Sequence, residues 1–188
     1  MIIYLDEIYS SLDWWRIENR IKTENEINSY LINVMQEVGK LSKALRNLEL
    51  KNTNKAAEYE IVEALCNIGI LTINAGADIL LRKKETEIDT SEIRYILFNV
   101  NSLISDCANY DRSGCTNHLY YNYVLKDCAS LCENWGFNFQ IAMLETIKEI
   151  SSRTGSYNEA TKKWEKDLSD EARAKWYSAN YELARIKK

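Results

Sequence analysis

Proline is absent from all 188 residues, and glycine occurs only six times. Nothing in the chain therefore imposes the fixed φ and missing N–H that stop a helix, and long uninterrupted helices are open to it. Histidine occurs once, as His118, and the five cysteines (Cys66, Cys107, Cys115, Cys128, Cys132) form no CxxC pair, which argues against a structural zinc site. An odd cysteine count without a disulfide-like pattern reads as free thiols in a reducing compartment. No run approaches the ~18 apolar residues of a membrane span. The opening "MIIYLDEIYSS" lacks the basic start and apolar core of a secretion signal. The expectation is a cytoplasmic protein with no membrane association.

What is present is ordinary for a folded domain: 46% apolar and 28% charged residues. The net charge of −4 argues against general nucleic-acid binding. It is unevenly spread. From Lys148 onward there are ten Lys/Arg against seven Asp/Glu, a net of +3, which leaves −7 for residues 1–147. A basic end on an acidic body suits an anionic small ligand held between the two, and equally suits chance.

Apolar residues recur with a period near 3.6, and strand-like alternation of useful length is missing. The periodicity predicts helices at roughly 6–22, 25–50, 54–84, 91–110, 117–135, 138–152 and 169–186. Thr53 or Asn54, Thr90 or Ser91, Asn138 and Ser169 are suitable N-caps, and Gly136 in "NWGFN" is a helix stop. The fold class expected is all-α: an antiparallel helical bundle over 1–152, with a basic strap and terminal helix over 153–188 in the same domain. The strap, "SSRTGSYNEATKKWEKDLSD", sets Arg153, Lys162 and Lys163 beside Tyr157 and Trp164. It reads either as a solvated loop or as a cationic, aromatic segment suited to phosphate and base contacts.

The stretch "AAEYEIVEALCNIGILTINAGADILL", residues 56–81, is apolar enough for a buried helix, yet it carries Glu60, Glu63, Asn67, Asn74 and Asp78. At 100° per residue those five fall within roughly 60° of arc. Buried carboxylates are costly unless they meet a cation, a metal or water. On the preceding helix Asn33, Glu37 and Lys40 share a face. An antiparallel pairing of the two helices through "LKNTN" would bring Glu37 opposite Glu60 and Glu63. Magnesium is the usual partner of such carboxylates, since it takes oxygen ligands and bridges to phosphates.

With these residues in view, the chain resembles the all-α NTP pyrophosphohydrolases, which include MazG-like proteins, dimeric dUTPases and phage relatives. "EVGK" (37–40) is similar to that family's ExxE and "EIVE" (60–63) to its ExxD, and "ALCN" follows, with Asn67 where an aspartate often stands. "EISSRTGSYNEATKKW" resembles the phosphate-binding C-terminal motif of the dimeric dUTPases. The resemblance implies magnesium held by Glu37, Glu60 and Glu63, the same residues acting in catalysis, and nucleotide phosphates contacted by Lys148, Arg153, Tyr157, Lys162 and Lys163. It also implies a homodimer or homotetramer and, for a phage-encoded chain, the host cytoplasm.

Lys40 departs from that pattern. It puts a cation where the ExxE has an anionic ligand, and two unit charges ~4 Å apart interact by about 4 kcal/mol at an effective dielectric of about 20. Three readings stay open: a nucleotide-binding or sequestering protein in which Lys40 meets phosphate directly; an active magnesium-dependent pyrophosphohydrolase releasing pyrophosphate from a (deoxy)nucleoside triphosphate; and an interaction protein with a vestigial site. For the base, Asn33 and Asn74 offer both donor and acceptor, and Trp14 or Trp15 offers a stacking face or simple core packing; Asn67 is a further nucleotide-binding candidate.

Overall fold

The computed structural model describes residues 5–21, 23–51, 55–75, 105, 118–161 and 163–187. These are mostly helical, with one small two-stranded sheet. In chain order the elements are α1 (Leu5–Glu18), α2 (Thr23–Lys51), α3 (Lys55–Asn74), α4 (His118–Asn134), α5 (Phe139–Ser152), β1 (Gly155–Asn158), β2 (Lys163–Lys166), the single turn α6 (Asp170–Arg173) and a 3-10 turn at Tyr181–Ala184. None of the described helices is long and apolar enough to cross a membrane.

α3 is the axis of the molecule. Its buried side chains, among them Ile61, Leu65, Ile68 and Ile73, lie on more than one face of the cylinder, and α2, α4 and α5 all pack against it. The pairing with α2 is antiparallel: Asn67 meets Glu37, and Tyr30 meets Thr72, so one index rises as the other falls. The shared core takes Val34, Val38 and Leu41 from α2, Leu125 and Leu131 from α4, and Phe139 and Met143 from α5. α1 packs on α5 and adds Ile8 and Leu12. Fully burying such a side chain contributes about 1.5–3 kcal/mol.

The expected starts and stops between α4 and α5 are present. Asn138 caps α5, its side chain accepting from the Ile141 N–H at 3.0 Å. Gly136 takes φ +79°, the left-handed conformation that ends α4 at little cost without a Cβ. Ser169 caps α6 in the same manner. The expected helix at 91–110 lies outside the described residues except for Ser105, which is helical. The caps at Thr53, Asn54, Thr90 and Ser91, and the 76–84 end of the third expected helix, also lie outside them.

Two expectations for the C-terminal region are corrected. The first is the strap, which is a β-hairpin: β1 and β2 pair antiparallel with Tyr157 opposite Trp164. Asn158 closes the turn by accepting from the N–H groups of Ala160 and Thr161. Four-residue strands are too short for alternation to register, so the turn chemistry was the only local signal. The second is the helix at 169–186, which reduces to two separate turns. The backbone between them is claimed from outside: Ala179 N–H donates to Glu149 and Asn180 N–H to Glu145, each at 2.9 Å. Tyr177 OH adds a bond to Glu145 at 2.5 Å. Carboxylates on α5 thus supply acceptors that an intrahelical ladder would otherwise provide.

The hairpin closes tightly at Gly155, where a Cβ would stand 2.3 Å from the Glu165 carbonyl oxygen and 2.6 Å from the Trp164 ring. Gly155→Ala should splay the two strands at a cost of about 1–3 kcal/mol. Amide-exchange protection over 155–166 should fall while that of α3 and α5 is unchanged; uniform loss across the chain would show that the hairpin is integral to the core.

Candidate functional site

The polar stripe of α3 opens into a cavity of about 510 Å³, within the roughly 300–1,000 Å³ typical of small-ligand pockets. Its floor is the α2–α3 seam: Ser29, Asn33, Glu37 and Lys40 from one helix, Glu63, Asn67, Ile70, Leu71 and Asn74 from the other. One wall comes from the end of α1, with Trp15, Asn19, Arg20 and Ile21. Ile150 and Arg153 at the end of α5, with Tyr157, Trp164 and Lys166 of the hairpin, form the opposite wall.

The two walls touch. Arg20 donates to Glu159 at 3.3 Å and lies over the Tyr157 ring at 5.5 Å. To do so it occupies the left-handed region, φ 53°, at the position after α1 where glycine is usual. The Ile21 N–H reaches back to the Arg16 carbonyl and closes the helix end. Arginine there costs about 1–2 kcal/mol of backbone strain, which the guanidinium's two contacts partly offset.

Charge is concentrated at the Glu63 end. Glu37 accepts from Lys40 Nζ at 2.7 Å and from Asn67 Nδ2 at 3.2 Å. Arg153 Nη2 bonds Glu149 at 2.5 Å. Burial pushes the Glu63 carboxyl up from its usual value near 4.5; the charges of Glu149 and Glu37 push it further, against Lys40 and Arg153. Lys166 is displaced in the opposite sense. Its side chain is in large part open to solvent, yet crowding of its ammonium and then the charges of Arg153 and Lys40 hold its pKa below the usual value. Three cations and three carboxylates therefore meet here, with Lys40 paired to Glu37 and Arg153 to Glu149.

Of the residues expected at a site, Asn33, Lys40, Glu37, Glu63, Asn67, Asn74, Arg153 and Tyr157 line this cavity together. Glu60 does not: it is exposed, one turn nearer the α2–α3 connection. Lys148 does not: it stands 4.0 Å from the Tyr177 ring and 4.0 Å from Glu145, holding the C-terminal segment. Trp14 is 61% exposed and also lies off the cavity. Lys162 lies outside the described residues, and of Lys163 only its backbone place in β2 is described. Trp15 and Trp164, which the sequence offered as aromatic surface for a base, also line the cavity, whereas reading the sequence missed Arg20 and Lys166. Lys166 follows from the hairpin register, which no helical periodicity contains.

The expected carboxylate set does not fit a magnesium ion. Glu37 is engaged by an ammonium and an amide, Glu60 points elsewhere, and among the described residues no group of three Asp, Glu, His or Cys side chains is placed to share a metal. Lys40 is the physical reason: on the same helix face, one turn on, it supplies the positive charge itself.

A model of the ShK domain-like family matches residues 100–134, fewer than a fifth of the 188. No curated protein and no solved structure matches the chain. The resemblance to the all-α NTP pyrophosphohydrolases is corrected accordingly: nothing supports it, and the family found is a different one. The matched stretch includes α4, none of whose described side chains lines the cavity. Its Cys128 and Cys132 are buried, and the Cys132 thiol meets Cys66 of α3.

Because the folded pKa of Glu63 is raised, the native state binds more protons than the unfolded one between pH 4.5 and that raised value, and stability falls as pH rises through this window. Glu63→Gln removes the charge and keeps the shape. Its melting temperature should match the wild type at acid pH and exceed it increasingly as the pH approaches neutrality. A wild type as stable as the variant at neutral pH would contradict the burial cost assigned to this carboxylate.

Proposed function

We propose that the cavity binds a phosphate-bearing small molecule of the nucleotide class and holds it through protein cations, not through a metal. The observation that carries this reading is the Nε–H of Arg153, a residue of the cavity wall: it is buried and has no acceptor, while the Nη2 of the same guanidinium is fixed by Glu149. A buried donor of this kind costs about 1–3 kcal/mol until an acceptor arrives. Lys40 and Lys166 flank it, and phosphate oxygens match both the guanidinium edge and the ammonium groups.

The electrostatic imbalance supports the same reading. An anion beside Lys166 offsets the repulsion from Arg153 and Lys40, so the arrangement is better satisfied loaded than free. Tyr157 and Trp164 add aromatic surface beside the cations. On this account the activity is binding or sequestration, with Glu37 serving to orient Lys40.

Isothermal calorimetry with a panel of nucleoside triphosphates, with and without EDTA, tests the proposal. At least one should bind, with affinity unchanged by the chelator. Lys166→Met should weaken it about 10–100-fold, the equivalent of one charge-assisted hydrogen bond at about 1.5–3 kcal/mol, while raising the melting temperature of the free protein. Absence of binding, or binding and pyrophosphate release only with magnesium, would overturn the proposal.

A further inference from the structure

The cavity is longer than a phosphate group requires. Tyr30 OH meets Thr72 Oγ1 at 2.9 Å, which places Asn74 level with the first part of α2, whereas Glu63 lies by Lys40. Eleven residues of α3 separate Asn74 from Glu63, about 16 Å at a rise of about 1.5 Å per residue. Over that length the lining becomes less charged: Ile70, Leu71, Asn33 and Ser29 accompany Asn74, with Glu26 of α2 as the acidic side chain at this end.

Two further buried polar groups in this cavity lack partners. Asn74 is 2% exposed and its carbonyl oxygen Oδ1 accepts no hydrogen bond. The indole Nε1–H of Trp15, in the α1 wall, is buried and donates to nothing. Unpartnered indole donors at Trp135 and Trp176, and the amide of Asn122, also occur, but none of these lines the cavity. Asn74 and Trp15 are set apart in that both residues line the cavity.

We infer that this end of the cavity recognises the heterocycle of the ligand: Asn74 Oδ1 accepts an N–H of a nucleobase, and Trp15 Nε1–H donates to one of its carbonyl or ring-nitrogen acceptors. The inference rests on the phosphate-binding reading of the opposite end. Every nucleobase offers a donor and an acceptor along its edges, whereas inorganic phosphates and aliphatic phosphates offer no ring N–H. A site that buries polar groups for a ligand discriminates strongly against an analogue that leaves them empty.

The test compares inorganic triphosphate with the four common ribonucleoside triphosphates by calorimetry, on wild type, Asn74→Leu and Trp15→Phe. In the wild type at least one nucleotide should bind ten-fold or more tightly than inorganic triphosphate. Asn74→Leu removes the unsatisfied acceptor, so its melting temperature should hold or rise, while its best nucleotide falls to the affinity of inorganic triphosphate. Trp15→Phe keeps an aromatic ring without the donor, should lose most of the same preference, and decides the matter if the Asn74 variant does not fold. Inorganic triphosphate binding as tightly as every nucleotide, or variants that keep the preference, would overturn base recognition and leave phosphate binding standing. No binding by any of these probes would overturn both.

Discussion

α3 is packed against α2, α4 and α5, so its apolar surface is committed on three sides, and the stripe through Glu63, Asn67 and Asn74 lines the cavity. The rest of the molecule follows from how that stripe is accommodated. A carboxylate and two amides cannot be covered by an apolar neighbour without losing their hydrogen bonds. α2 therefore presents Asn33, Glu37 and Lys40 along the same seam, and Glu37 and Asn67 satisfy each other across it. The remaining groups are left facing a cavity roofed by the hairpin and by the end of α1.

The roof is held by modest forces. The Arg20–Glu159 pair is exposed on both sides, 67% and 80%, and pairs of that kind contribute about 0–1 kcal/mol. The hairpin's firmer tie is at its base. There Arg153 is clamped by Glu149, while Glu145 and Glu149 together gather the chain at 177–180 against α5. Arg153 thus serves both the C-terminal packing and the cavity, and a variant that removes it tests both at once. A low-stability roof over a rigid floor is the usual distribution where a ligand must enter.

How much of this was legible in the sequence varied with the range of the signal. Helices with a full apolar period, α2, α3, α4 and α5, were readable because tertiary packing reinforces the 3.6-residue pattern. Asn138, Gly136 and Ser169 were readable because capping and left-handed termination are local chemistry. The hairpin and the unwound 174–180 segment were not, because long-range contacts decide them: a Tyr157–Trp164 register and two carboxylates on α5. Six of the eight expected site residues that line the cavity do so because the facing stripes of α2 and α3 bring them together whatever the family; Arg153 and Tyr157 come from the end of α5 and the hairpin. The short motifs 37–40 and 60–63 carried too little information for the family resemblance built on them. Glu60 shows why: sharing a helix stripe does not place a side chain at the same level along the axis.

The central claim is that an anion is held here by Lys40, Arg153 and Lys166 beside a carboxylate that burial already disfavours. The most direct test is the proton balance of binding, measured by calorimetry of one nucleoside triphosphate in buffers of different ionisation enthalpy. In the free protein the pKa of Glu63 is raised and that of Lys166 lowered. An arriving phosphate raises both, so protons should be taken up on binding. A ligand drawn in through a metal held by the carboxylates would instead lower the Glu63 pKa. Proton release, or no exchange, at a pH above the triphosphate's own last ionisation (about 6–7) and below the pKa of Lys166 would contradict the account.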